Sequence, residues 1–239
     1  MPVEHLQIAE RFRGPPRSGN GGYTCGLIAR HLQGTVAVRL KLPPPINTAL
    51  RLESVDDGAR LFHGTALVGE GKHAQLDLPA PAGPSFAEAE QASHAYVGFK
   101  THNFPGCFVC GPARQPADGL RIFPGQVKGA AVIAAPWMPD ASLADDSQRV
   151  SPEFLWSALD CTGAFAVLPS KPDVAIVLGE LCAAITGEIT PGERCVVTGW
   201  PLTVAGRKRL AGSAVYAEDG RLVALARAVW IEVPLSDWH

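Results

Sequence analysis

What this chain lacks narrows its function first. No apolar stretch approaches the ~20 residues needed to cross a bilayer. The opening MPVEHLQIAERFRGPP carries early acids where a secretory leader would carry an apolar segment, so a cytoplasmic location is expected. Lysine and arginine number 21 against 23 aspartates and glutamates, for a formal net charge of −2, and no long basic run occurs. That leaves no electrostatic footprint for nucleic acid or an anionic membrane, and neither partner is predicted. No Gly-x-Ser-x-Gly elbow marks a serine hydrolase. Gly19-Asn20-Gly21-Gly22 follows a loop rather than a strand, which excludes a dinucleotide fingerprint. Six cysteines, at 25, 107, 110, 161, 182 and 195, are too scattered for a disulfide framework and are expected to be reduced.

What is present is a folded core's worth of apolar residues, 46% of 239, enough for one large domain or two small ones. The second half can be laid over the first. At an offset of 148, Pro43 falls on Pro191, Phe62 on Leu210, Gly64 on Gly212 and Ala66 on Ala214. The seam is PAPAGPSFAEAEQAS, residues 79–93, where proline, glycine, alanine and acids replace the alternating pattern on both sides. It reads as a linker and divides the chain into 1–93 and 94–239. Such a tandem creates a pseudo-twofold interface where a site can draw unlike groups from each half.

Each half reads as a helix followed by strands. Asn20 to His31 places Tyr23, Leu27 and Ile28 on one helical face. Strand-like runs follow at 35–42, 49–54 and 59–68, with Asp56-Asp57-Gly58 as a hairpin turn. In the second half, strands are expected at 119–123 and near 130–135. Ser151-Pro152-Glu153 then starts a helix through FLWSALDCTGAFAVL, with serine as N-cap and proline at the first helical position. Runs near 175–189, 194–204, 208–217 and 221–233 complete the strands, the last two joined by Glu218-Asp219-Gly220. A helix of about four turns cannot shield its apolar face alone, and a twisted antiparallel sheet around it is the natural solution. In the last strand, Ala224, Ala226 and Ala228 alternate with Val223, Leu225, Val229 and Ile231. The small row would admit a closely packed helix.

Three stretches carry a resemblance to a known family. Ser18-Gly19-Asn20-Gly21-Gly22-Tyr23 resembles the Gly-Gly-Tyr helix start of thioesterase II-type enzymes. Cys107-Phe108-Val109-Cys110-Gly111 with Gly119-Leu120 resembles the opening of phenylacetate-pathway thioesterases. Phe154 to Asp160 (FLWSALD), followed by LGELCAAITGEITPGE, resembles their helix with its acidic residue and the next strand. The chain is thus similar to tandem, or double, hotdog proteins of the acyl-CoA thioesterase superfamily. The fold this implies is α+β, with two antiparallel sheets each wrapped around a long central helix. The implied ligand is an acyl-CoA or related thioester. Hotdog sheets commonly join edge to edge or back to back, so a homodimer is also an expectation.

The resemblance gives candidate roles that the chemistry supports. A thioester carbonyl gains negative charge under attack, and amides at a helix N-terminus are fixed donors for it. Asn20, Gly21 and Gly22 are candidates for that end of the site, with Gly22 or Tyr23 as the amide; the alternative is that Gly-Gly only relieves crowding. Asp160, a carboxylate in an apolar helix, is the candidate general base or nucleophile, unless it faces solvent or caps a loop. With Gly21 laid over Pro152, its counterpart in the first half is Ala29, so one of two related sites would hold an acid. Glu180 is either a second acid or an edge-strand charge. Trp156 is a candidate ligand contact, and Arg207-Lys208 are candidates for coenzyme A phosphates, against the alternative of a solvated loop tip.

The family's threonine is not found in Ile176-Val177-Leu178-Gly179-Glu180, and Ala228 stands where its glutamine is expected. A hotdog hydratase would need an Asp–His pair, and only His239 follows Asp160. Cys107 and Cys110 with His102 suggest a zinc knuckle, but one Cys-x-x-Cys lacks the second ligand pair. A redox dithiol would want a βαβ context, and the resemblance treats the pair as a structural turn. No cofactor and no metal are expected. The reading is an acyl-CoA thioesterase, with a non-catalytic acyl-CoA or lipid binder as the alternative.

Overall fold

The computed structural model describes residues 3–169 and 171–238; His239 lies outside them. In chain order the elements are β1 (Val3–Gln7), α1 (Gly21–Ala29), β2 (Val36–Leu40), β3 (Ala49–Val55), β4 (Gly58–His63), β5 (Ala66–His73), α2 (Phe86–Ser93), β6 (Gly125–Gln126), β7 (Ile133–Trp137), α3 (Pro152–Ala166), β8 (Val174–Ile185), β9 (Cys195–Ala205), β10 (Lys208–Tyr216) and β11 (Leu222–Pro234). The strands form one antiparallel sheet of 11, ordered β1-β3-β4-β5-β2-β8-β11-β10-β9-β7-β6. Two separate sheets were expected. Instead β2 and β8 pair, Val36 opposite Ala183 and Arg39 opposite Glu180, so the strands of the two halves run as one continuous sheet. The pairing removes the two edges that would otherwise meet solvent.

The two hairpins read from Asp56-Asp57-Gly58 and Glu218-Asp219-Gly220 are present. The run 59–68 is not one strand: Gly64, at φ +58°, turns the chain between β4 and β5. This also breaks the ungapped overlay of the halves. Gly58 and Gly206 both sit at the hairpin that precedes β4 or β10, as the offset of 148 demands. Gly64 is in a turn, however, whereas Gly212 lies inside β10 under the Trp200 ring. β10 is longer than β4, and the next hairpin falls at Gly220. The expected strand at 119–123 is absent. That segment is held by single bonds from Leu120 N–H to the Phe108 carbonyl and from Ile122 N–H to that of Val109.

The segment read as a linker holds α2. Its start is a capping box, in which Ser85 Oγ accepts from Glu88 N–H and the Glu88 carboxylate accepts from Ser85 N–H at 2.7 Å. Ala89 and Ala92 of α2 pack with Ala134, Val196, Trp200 and Tyr216 in an apolar cluster of their own. β1 was also missed: only Leu6 among its residues joins the core.

Helices α1 and α3 cross in close contact. α1 lies on β2, β4, β5 and β8, and α3 on strands β7 to β11. The alanine row of β11 faces α3: Ala228 pairs with Ala211 and Ala226 with Ser213, Ser213 Oγ donates to the Leu159 carbonyl at 2.6 Å, and Gly163 sits over Ala211. Between the helices the spacing is set by two glycines one turn apart. A Cβ on Gly22 would lie 2.5 Å from the Asp160 Cβ and the Trp156 carbonyl oxygen, and one on Gly26 would lie 2.5 Å from the Glu153 Cα. Arg30, just past the end of α1, reaches Glu153 at 3.6 Å.

Glycine-to-alanine exchange should therefore have opposite signs at two helical positions. Gly26→Ala gains ~1 kcal/mol of helix propensity but forces backbone apart, so a net loss of about 1–3 kcal/mol is expected from overpacking. At Gly163 an added Cβ meets Ala211 at an ordinary 3.5 Å, and Gly163→Ala should stabilise by roughly 0.5–1 kcal/mol. Urea denaturation of both variants checks the pair.

Candidate functional site

Asn20 is the N-cap of α1. Its Oδ1 accepts from Tyr23 N–H at 2.9 Å, and its carbonyl accepts from Thr24 N–H at 3.0 Å and Thr24 Oγ1 at 2.8 Å. That leaves its amide nitrogen facing away from α1, and Nδ2 donates to Asp160 Oδ2 at 2.8 Å. Gly22 N–H donates to the same oxygen at 2.9 Å. The glycine-rich tip of the first half therefore meets the acid of the second. Asp160 is 2% exposed, and its Oδ1 has no hydrogen-bond partner among the described residues. Burial pushes the carboxyl up to about 7; the Gly22 N–H opposes this, the Cys107 sulfur adds to it, and Asn20 pulls it down.

Beside this carboxyl is a cavity of about 510 Å³. Asn20, Gly21 and Asp160 line one part, with Phe165, Leu178 and Trp230 among the apolar groups and Lys41 and Lys171 among the cationic ones. The Trp230 indole N–H is buried and also without a partner among the described residues. The sequence does not single out Trp230, Lys41 or Lys171. Lys41 and Lys171 lie in connecting segments after β2 and before β8, and no local pattern in the sequence marks them.

The other sequence candidates sort by position. Gly22 touches Asp160, but its N–H is taken by that carboxylate, and the Tyr23 N–H is taken by Asn20. Neither amide is available to a substrate in this arrangement. The Tyr23 ring stacks on Phe12 at 4.2 Å, and burial pushes its hydroxyl up to about 12. Trp156 is buried against Gly26 of α1 and does not line the cavity.

Glu180 is neither an edge charge nor a second acid beside Asp160. It lies in central strand β8 and binds Arg39 of β2 through Nε and Nη2 at 3.0 and 2.7 Å. The register slips between the Leu178–Trp230 and Glu180–Val229 pairs, so Gly179 forms a bulge. The bulge lets Leu178 and Leu181 both turn inward while Glu180 points outward. Arg207 and Lys208, at the β9–β10 turn, are exposed and absent from the cavity wall. Ser151 is the N-cap of α3 by position, without a side-chain cap bond.

A sulfur cluster adjoins the carboxyl. Cys107 and Cys110, from the loop 102–111, meet Cys161 of α3, and the three Sγ atoms lie within 4.8 Å of one another. Cys107 Sγ is 3.7 Å from Cys161 Sγ, and Asn20 Nδ2 is 3.9 Å from each. Hydrogen bonds from the Cys110 and Cys161 thiols hold Cys107 well below the ordinary thiol value, and the Cys110 and Val109 amides act the same way. His102 Nε2 is 3.4 Å from Cys110 Sγ, and burial holds this imidazole below its ordinary value. All six cysteines are free.

Comparison with known proteins finds similarity in fold. The acyl-CoA thioesterase II TesB2 from Mycobacterium marinum superposes with a TM-score of 0.60 at 12% identity, over 97% of this chain and 93% of that one. A tesB protein from Mycobacterium avium subspecies paratuberculosis gives 0.62 at 13% identity over the same shares. A conserved protein with a hot dog fold from Alicyclobacillus acidocaldarius gives 0.60 at 12% identity, again over 97% and 93%. No protein-family model matches the sequence, and no curated protein matches it. Among the described residues no helix is long and apolar enough to cross a membrane.

Asn20 is the link on which the site's geometry depends. Asn20→Asp keeps the cap acceptor for Tyr23 but replaces the donor to Asp160 with a second acceptor. A loss of roughly 1–3 kcal/mol in urea denaturation at neutral pH is expected, larger than that of Asn20→Ser, which cannot oppose a second carboxylate to the first.

Proposed function

We propose that this chain is an acyl-CoA thioesterase in which two hotdog halves, 1–93 and 94–239, share one sheet and build a single site at their junction. The observation that carries the reading is the Asp160 carboxyl, buried at the wall of an apolar cavity with one oxygen held by Gly22 and Asn20 and the other without a partner among the described residues. A buried acid is expensive to maintain without a partner or a use. The proteins of similar fold that bear the name thioesterase support the reaction class.

In this reading Asp160 Oδ2 is the anchored oxygen and Oδ1 the working one. Oδ1 takes a proton from water as the water oxygen bonds to the thioester carbonyl carbon, and hands that proton to the departing thiolate. If Oδ1 instead attacks that carbon itself, the thiolate leaves an acyl anhydride on Asp160, which a water then hydrolyses to the free acid. Collapse of the tetrahedral species breaks the carbon–sulfur bond, and the departing thiolate takes up a proton. The developing oxyanion needs a donor. Gly21 is the first residue of α1, so its N–H lies outside the helical ladder, and Gly21 borders the cavity; its amide takes the role first assigned to Gly22 or Tyr23. The Trp230 N–H, buried and without a partner among the described residues, is a second donor from a residue that lines the cavity. A volume of about 510 Å³ falls in the range of small-molecule pockets, ~300–1,000 Å³, and its apolar groups suit an acyl chain. Lys171, rather than Arg207 and Lys208, supplies charge for coenzyme A phosphates; Lys41, also on the cavity wall, is paired with Glu70 at 2.9 Å.

Asp160→Asn is the central test. The asparagine carbonyl can still accept from Gly22 and Asn20, so the fold should persist while the base is lost. Steady-state hydrolysis of a panel of acyl-CoA chain lengths should fall by at least ~10²-fold, and turnover equal to the parent would end the proposal. The alternative binder has one observation in its favour, the fully buried, non-polar Ala228 in place of a water-orienting glutamine. A parent protein whose melting temperature rises with acyl-CoA but which hydrolyses none would establish that alternative.

Lys171 is exposed and makes no ion pair among the described residues. Lys171→Glu should raise KM for acyl-CoA by up to about fivefold, in keeping with exposed charge pairs of ~0.2–1 kcal/mol, and leave kcat within twofold. The same change at Lys208 should leave both constants unchanged.

A further inference from the structure

We propose that Cys107, Cys110 and Cys161 bind one zinc ion as three thiolates, leaving a fourth position to be filled from the cavity. The geometry is that of a thiolate metal site. Four ligands at a zinc–sulfur distance of ~2.3 Å stand about 3.8 Å apart along a tetrahedral edge. Cys107 Sγ and Cys161 Sγ are 3.7 Å apart, and all three sulfurs fall within 4.8 Å of one another. The two cysteines of the Cys-x-x-Cys are brought together by a tight turn closed by Gly111 N–H on the Cys107 carbonyl at 2.9 Å. A Cβ on Gly111 would lie 2.5 Å from the Cys107 and Pro105 oxygens, so only glycine closes it. The third sulfur comes from α3, far along the chain, and replaces the second ligand pair whose absence argued against zinc.

The surroundings are those of ligands rather than of inert thiols. The Asn20 amide lies 3.9 Å from both Cys107 and Cys161. Outer donors of this kind orient and support thiolate ligands. His102 belongs to the same outer shell. Its Nδ1 accepts from Phe104 N–H at 2.9 Å, which puts the ring proton on Nε2, 3.4 Å from Cys110 Sγ. It donates to a ligand sulfur and does not itself ligate. The remaining cysteines, 25, 182 and 195, are outside the cluster. The three ligand thiols line the cavity, so the ion has a route of entry.

The site rests on sulfur geometry and not on the hydrolytic reading, and the two can fail separately. The full chain, produced with zinc in the medium and purified without chelator, should contain about one zinc per chain by elemental mass spectrometry. Chelator-stripped protein titrated with cobalt(II) should develop a thiolate-to-cobalt charge-transfer band and the visible bands of a tetrahedral ion. Cys161→Ser should lose the bound zinc and about a third of the charge-transfer intensity, while Cys195→Ser, also a buried cysteine, should keep both. If Cys161→Ser does not fold, alkylation of the parent with and without zinc, mapped by mass spectrometry, decides instead: Cys107, Cys110 and Cys161 should be protected together. Parent protein free of zinc and without the cobalt band would overturn the proposal, as would a folded Cys161→Ser with undiminished zinc or three thiols whose alkylation zinc does not change.

Discussion

The close crossing of α1 and α3 is the constraint on which the rest depends. Two glycines one turn apart let backbone meet backbone, with a Cβ at either position only 2.5 Å from the opposite helix. Any larger residue would separate the helices by more than a hydrogen bond can span. At this distance the start of α1 delivers a backbone N–H and a capping side chain onto Asp160, and two bonds satisfy one carboxylate oxygen. Gly22 thus acts through its missing side chain and its amide together, which is why its N–H is spent on the acid and Gly21 is left to face the cavity. The usual loss of helix stability from glycine is ~1 kcal/mol per residue, and here it is offset by a contact that no other residue permits.

The same crossing creates an asymmetry between the halves. Laid over α3, α1 carries Ala29 where α3 carries Asp160, and α1 ends there while α3 continues to Ala166. One half offers a helix tip, the other a mid-helix acid. A buried carboxyl is destabilising unless something holds it, and an acid at Ala29 would have no glycine tip to answer it: in the same overlay Ser151 and Glu153 stand where Asn20 and Gly22 do, so the amide side-chain donor and the missing side chain are both lost.

Much of this was legible from local pattern. Ser151-Pro152-Glu153 started α3 because proline at the first helical position lacks only an N–H the helix does not use. Asp160 stood out because a carboxylate in an apolar helix is costly unless paired or used, and Asn20 because it leads the glycine-rich helix start that carries the resemblance; its capping role is visible only in the structure. Local pattern failed where the deciding partner was distant. Glu180 could not be oriented because the bulge at Gly179 reverses the alternation, and that bulge exists only against β11. Gly64 and Gly212 matched as letters but serve unlike needs, a left-handed turn and room for the Trp200 ring. The helix at Phe86–Ser93 is a different case: its Ser85-Phe86-Ala87-Glu88 capping box was present in the sequence, and the richness of the segment in proline and glycine obscured it. Cys161 carried no local signal, since nothing in FLWSALDCTGAF indicates that a loop 54 residues earlier will set a sulfur against it.

Asp160 and Cys161 are consecutive, yet they serve two different clusters, and Asn20 connects them. A single amide group donates to the carboxylate at 2.8 Å and lies 3.9 Å from two sulfurs. Whatever charge the sulfurs carry is therefore felt at the carboxylate through space and through a shared donor: as the sulfurs become more anionic, they compete for the Asn20 N–H and raise the cost of ionising Asp160. A cation among the sulfurs acts the other way, withdrawing charge from them and leaving the donor to the acid. Three thiolates around a dication still sum to one negative charge, so the carboxyl is not flooded with positive potential. Its neighbourhood is instead fixed in place, because the loop 102–111 is then tied to α3 on the wall of the cavity that the carboxyl faces.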